Sequence, residues 1–324
     1  MKKLSTGLLL LIIIAAIAGS YLYFVRPTAN DLGLDKTAPQ QIANGDVTVK
    51  WLGVSTLLID DGETQLMTDG FISRPTLLDL LLDKPIQPDT QAIEEQLADL
   101  GVDRLAAIMT VHSHYDHALD TGVIALQTGA DVLGSMSTAN IARGAGVPEQ
   151  QITEVVPDRE YQYGRFTVKF YASRHAPLVD DGPPHPGSID TPLTPPQPVS
   201  AYREGGSYSI VINHPRGNML IQGSAGFMPG ALDGVKVDTV FLGVGGLGQL
   251  GREHTQSYMR EMVSMPQPKE VFVIHHDDFF APFGEIRLLP TLVMDRTFFF
   301  ELQQLALPAR LYYMGFNEAV KVGS

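Results

Sequence analysis

The chain has 324 residues, of which 44% are hydrophobic and 18% charged, enough to bury a full core in one large domain or two small ones. Its formal net charge of -13 disfavours nucleic acid as a partner, because phosphates are repelled. Cysteine is absent, which excludes disulfides, thiolate metal ligands and lipid attachment through an N-terminal cysteine.

Gly7 to Val25 is free of charge. As a helix it would span roughly 28 Å, close to the hydrocarbon core of a bilayer. With Lys2 and Lys3 ahead of it, residues 1–26 are expected to form a transmembrane signal-anchor with a cytoplasmic N-terminus. The folded part would then lie on the extracytoplasmic side of a bacterial-type inner membrane, with the membrane as a partner. Ala16-Ile17-Ala18 also resembles a cleavage site, so secretion after cleavage is the alternative. Tyr21 to Val25 continues the apolar run past that site, which favours the anchor. Residues 27–45 are polar and read as a tether, leaving 46–324 as the folded domain.

From Val47 the pattern becomes strand-like. Val47 to Leu52, Ser55 to Asp60 and Thr64 to Asp69 read as strands joined by tight turns. Asp89 to Leu100 carries Ile93, Leu97 and Leu100 at helical spacing, and Gly101 is the stop signal. Leu105 to Val111 is a buried strand, followed by a helix from Asp120 to Gln127 and a strand from Ala130 to Gly134. Phe166 to Ala172 alternates and ends before His175. Residues 177–198, rich in Pro, Gly and Asp, form a long loop or a lid. Tyr208 to Asn213 and Asn218 to Gln222 make a hairpin around Pro215-Arg216-Gly217. A strand from Val237 to Leu242, a helix from Thr255 to Met262 and a strand from Val271 to Ile274 lead to His275. Both halves open with hairpin strands and then alternate strand with helix. Two sheets packed back to back with helices outside satisfy that pattern, with the strand-end histidines at one edge.

The chemistry is concentrated between Thr110 and Asp120, where His112, His114, Asp116 and His117 fall within six positions. His112 and His114 are two apart and face the same way on an extended segment. Asp116 and His117 follow a bend and suit a second ion. Imidazole and carboxylate fit zinc, with manganese or iron as alternatives. His175 and His275 each follow a strand and are the further ligand candidates. His276 would point elsewhere and serve as a support or substrate contact. His185, in the Pro-rich loop, would touch substrate or face water, while His214 lies in a hairpin turn and His254 at a helix start.

With these residues the chain resembles the metallo-beta-lactamase superfamily, in the lactonase-like branch that also resembles N-acylphosphatidylethanolamine phospholipase D. The motif His-x-His-x-Asp-His is matched by His112, His114, Asp116 and His117. The resemblance begins near Trp51 to Thr56, where Val54 stands at a position that is commonly histidine, and runs to about Phe283. It implies an α+β four-layer αββα sandwich, here preceded by the transmembrane helix. It also implies one ion on His112, His114 and His175, and a second on Asp116, His117 and His275. One departure is at Ser224, where the family usually places a bridging aspartate. Asp277, Asp278, Asp180 and Asp181 are the candidates to replace it.

Such a site would use metal-activated water on an ester, lactone, amide or phosphodiester. Asp116 would orient that water and pass a proton, and Asp69 would support a ligand histidine or terminate a turn. Phe279, Phe280 and Phe283 would wall an acyl-chain or lipid-like substrate, or anchor a loop. The expected function is a membrane-anchored metal-dependent hydrolase with one or two Zn2+ ions. The alternative is a binding or assembly protein that keeps the fold without turnover.

Overall fold

The computed structural model describes residues 2–24, 26–28, 33, 35–36, 41–289 and 296–323. The expected tether, 27–45, therefore falls partly outside the described residues.

Among the described residues two large mixed sheets stack face to face. One has seven strands, in the order Ala319–Val322, Val47–Trp51, Leu57–Asp60, Gln65–Thr68, Leu105–Met109, Asp131–Gly134 and Ile152–Glu154. The other has eight, from Asp35–Lys36 through Arg310–Tyr313, Glu270–Ile274, Thr239–Gly243, Met219–Gln222, Ser207–Asn213 and Phe166–Ser173 to Glu160–Tyr163. The alternation in Val47–Trp51 explains the packing. Val47, Val49 and Trp51 are fully buried, while Thr48 and Lys50 are only half-buried. Ile59, Phe170, Phe241 and Phe272 join them between the sheets.

Helices cover both outer faces. Thr90–Leu100 turns Ile93, Leu97 and Leu100 onto Leu58, Met67 and Ile108 of the first sheet. Asp89 caps its start by accepting the Ala92 amide at 3.0 Å, and Gly101 ends it with φ of 73°, a conformation that favours glycine. On the second sheet, Tyr258 and Met259 of Gly251–Met259 pack with Phe299 and Leu302 of Arg296–Ala306. The result is the expected αββα sandwich of α+β type.

The N-terminal expectation is corrected. Lys2–Phe24 is a helix, but among the described residues no helix is long and apolar enough to cross a membrane. The transmembrane helix, the membrane as a partner, the anchored form of the hydrolase and the single-pass inner-membrane location therefore fall together. Beyond the helix, Arg26 pairs with Asp278 at 2.7 Å, and Asp35–Lys36 adds a parallel strand beside Arg310–Tyr313.

Candidate metal centre

The strand ends build the site. Thr110 continues Leu105–Met109 by donating its amide to Leu133 at 2.9 Å. Val111 then donates to Asp69 Oδ1 at 2.9 Å. His114 is extended, with ψ of 155°, and opens the one-turn helix Tyr115–Ala118. That bend separates His112 and His114 from Asp116 and His117. His175 arrives after Phe166–Ser173, and His275 directly after Glu270–Ile274.

Two clusters result. His112, His114 and His175 form one, and Asp116, His117 and His275 the other; in each, one donor atom per residue lies within 4.8 Å of the rest. Ring centres of His112, His114 and His175 are 4.7 to 4.9 Å apart. The His112 and His117 rings, 3.8 Å apart, join the clusters. Asp116 Oδ2 is 3.5 Å from Nε2 of both His117 and His275.

Hydrogen bonds decide which nitrogens face inward. A carbonyl oxygen only accepts, so the ring nitrogen opposite it carries the proton. His114 Nε2 donates to the Pro184 carbonyl at 2.7 Å, which leaves Nδ1 as its donor atom. His175 Nδ1 donates to the Ala176 carbonyl at 2.7 Å, which leaves Nε2. His117 Nδ1 donates to the Asp69 carboxylate at 2.9 Å, and Ser55 Oγ donates to the same oxygen at 2.6 Å. His117 Nε2 is again left facing Asp116.

These residues fit a divalent cation. Both ring nitrogens of His112 are buried without a hydrogen-bond partner, and Nε2 of His275 faces Asp116. Buried polar atoms of that kind are costly unless something satisfies them. The donors are imidazole and carboxylate, compatible with Zn2+ or a related divalent ion. Protonation agrees. Burial pushes His112 far below its ordinary value and takes His114 and His175 down to about 4, so all three are neutral near pH 7. His117 goes the other way: burial lowers it, but Asp116 and Asp69 outweigh burial and raise it. Burial would raise Asp116, yet His117 and His275 hold its carboxyl well below the usual carboxylate range.

The other candidates are placed as follows. Asp69 is fully buried and supports His117. The His185 ring is 6.4 Å from that of His114, on the loop whose Pro184 carbonyl holds His114. His276 lies in neither cluster; it stacks on Trp51 at 4.7 Å, at the edge of the core between the sheets. Ser224 Oγ accepts the Ala176 amide at 3.0 Å and so braces the His175 loop. None of Asp180, Asp181, Asp277 or Asp278 joins a cluster. His214 pairs with Asp61 at 3.3 Å, outside both clusters, and His254 donates to the Ala225 carbonyl at 2.8 Å. Phe279 stands edge-on to His275 at 5.7 Å, whereas Phe283 packs on Phe316 at 5.2 Å. A cavity of about 590 Å³ opens beside His175, between Arg174, Pro183, Glu204 and Phe227.

Sequence reasoning did not single out Ser55, the Pro184 carbonyl or Arg74. Arg74 is a buried arginine facing Asp277 at 3.8 Å. The signal for Ser55 would have been its place in the turn between the first two strands. Its contact with His117 spans 62 positions and leaves no local trace.

Several known proteins share this architecture. The chain is 30% identical over 144 residues to a UPF0173 metal-dependent hydrolase of Rhizobium meliloti, a match over 43% of this chain and 53% of that protein. The metallo-beta-lactamase fold protein YhfI of Bacillus subtilis superposes with a TM-score of 0.51 and 12% identity, over 85% of this chain and 99% of YhfI. CmlA, a diiron beta-hydroxylase of Streptomyces venezuelae, superposes with a TM-score of 0.55 and 14% identity, over 91% of this chain and 59% of CmlA. No family model matches the chain. The fold is that of the metallo-beta-lactamases, and the cluster of His112, His114 and His175 lies beside that of Asp116, His117 and His275.

Proposed function

We propose that the chain hydrolyses an ester, lactone, amide or phosphodiester with divalent ions, zinc first, at the two clusters. The observation that carries this is their adjacency: two triads of metal-competent donors joined by the His112 and His117 rings. Bound there, an ion supplies Lewis acidity and lowers the pKa of its water to about 7. The chain supplies the rest. His112, His114 and His175 present neutral donors, with the last two held in orientation by backbone carbonyls. Asp116, ionised and beside both His117 and His275, would hold an ion and orient the attacking water. The cavity beside His175 gives a substrate room to approach the first cluster. The motif around His112 puts lactones and lipid phosphodiesters, the substrates of the lactonase-like and phospholipase D-like branch, first among those to test. Iron belongs in the metal panel because a diiron hydroxylase shares the fold.

The test is elemental analysis of the purified chain with a hydrolysis screen over the four bond types. His114→Ala is expected to lower bound metal and remove most activity; unchanged metal content would defeat the assignment.

A second reading is a binding or assembly protein without turnover. Ser224 favours it, since its hydroxyl is taken up by the Ala176 amide and none of Asp180, Asp181, Asp277 or Asp278 joins a cluster in its stead. Retained metal with no hydrolysis of any bond type, unaltered by Ser224→Asp, would select it.

A further inference from the structure

His275 reaches its cluster from a strained backbone. Its φ is 55°, and Val54, whose carbonyl accepts the His275 amide at 2.7 Å, has φ of 49°. Residues with a β-carbon, above all a β-branched one, hold such values only where neighbours enforce them.

The enforcing contacts come from the residues that follow. Asp277 Oδ1 accepts the Val54 amide at 2.9 Å, and its other oxygen faces Arg74 at 3.8 Å. Asp278 Oδ2 takes a 2.7 Å ion pair from Arg26 Nη2, with the two side chains only 5% and 13% exposed. Arg26 Nη1 also donates to the Leu288 carbonyl at 3.4 Å. Leu288 bridges to Asp277, and the Leu289 amide donates to the His276 carbonyl at 3.0 Å. One guanidinium from just beyond the first helix therefore ties both limbs of the 275–289 loop. Phe279, on that loop, stands edge-on to the His275 ring.

We propose that Arg26 is a positioning residue for the Asp116, His117 and His275 cluster, fixing the loop that presents His275. The inference rests on reading the clusters as metal sites. Without Arg26 the buried Asp278 carboxylate loses its counter-charge and keeps only the Phe280 amide, at 3.2 Å on Oδ1, which is strongly unfavourable. The loop would move to hydrate it, and His275 would leave its strained position. No residue of the other cluster lies on this loop, so the effect should be confined to one ion.

The experiment is a zinc titration of the full-length chain against a chromophoric chelator, for wild type, Arg26→Ala, Arg26→Lys, Asp278→Asn and the Arg26→Ala, Asp278→Asn double variant. Arg26→Ala should weaken one of two ions about 10-fold, the range seen when supports of ligands are removed, and leave the other unchanged. Arg26→Lys should restore part of the loss, because it keeps the charge but not the fork that reaches Leu288. Asp278→Asn should weaken the same ion, and the double variant should be no weaker than either single one. Asp278→Asn keeps side-chain volume, so it carries the test if Arg26→Ala misfolds. Two unchanged affinities, equal weakening of both ions, or a wild type that loads one ion only would overturn the proposal while sparing the hydrolase reading. A wild type that binds no zinc overturns both.

Discussion

The two clusters sit side by side but are held by different means. His114 and His175 are oriented by carbonyls of loop residues, Pro184 and Ala176, and carry no carboxylate near the ring hydrogen. His117 is oriented by buried side chains, Asp69 and Ser55, while His275 is fixed through its backbone. The first cluster is neutral and lies beside the cavity at His175; the second contains an ionised carboxylate and leans on buried side chains. Adjacent sites can therefore differ in charge and response to pH although their ligands look alike.

Acid should separate the clusters most strongly. In the metal-free protein, burial holds His114 and His175 at about 4, below the ordinary 6.5, and His112 well below its ordinary value too. The unfolded chain then binds more protons in that window. Their contribution is full above pH 6.5 and is lost as pH falls toward 4, at about 1.4 kcal/mol per unit of difference for each group. His117 is raised and has the opposite sign: its contribution is full below its unfolded value and is lost as pH rises through the folded one. Thermal melts of the chelator-treated protein should show Tm falling steeply between pH 6.5 and 4. A flat profile would mean that the first cluster is not buried and neutral.

Asp69→Asn sharpens the contrast. It removes the charge behind His117, keeps an Oδ1 that accepts the Val111 amide beside His112, and leaves the Pro184 and Ala176 contacts intact. Affinity for one ion should fall about 10- to 100-fold with the other ion unaffected, read by competitive metal titration. Equal loss of both would show that the clusters share their supports.

Ser224→Ala addresses the loop-built side and should have the smallest effect. It leaves the buried Ala176 amide without its acceptor, at a cost of about 1 to 3 kcal/mol in denaturant unfolding. Unchanged stability would show that water replaces the hydroxyl and that the His175 loop needs no brace.

Much of this was legible in the sequence. The six-position run from His112 to His117 exposes its chemistry because its donors are neighbours in the chain. His175 and His275 were legible only as strand-end histidines, with the resemblance supplying their grouping. Asp69 was legible as a strand-end carboxylate, but not its hydrogen bond to His117. At the N-terminus the composition correctly indicated a helix, while the expectation of a membrane span went further than the structure supports. Charge-free length suggests a span, but crossing needs sustained apolar length along one helix.

Local periodicity and spacing determined the strands, the helix from Thr90, the two-layered sheet core and the donor-rich segment, because each depends on residues a few positions apart. Only the tertiary structure decided which ring nitrogens face inward, what Ser224 holds and that Arg26 reaches Asp278. Those depend on contacts between strand ends far apart in the chain. Such contacts are fixed by the packing of whole sheets, which imposes no spacing that the sequence could display.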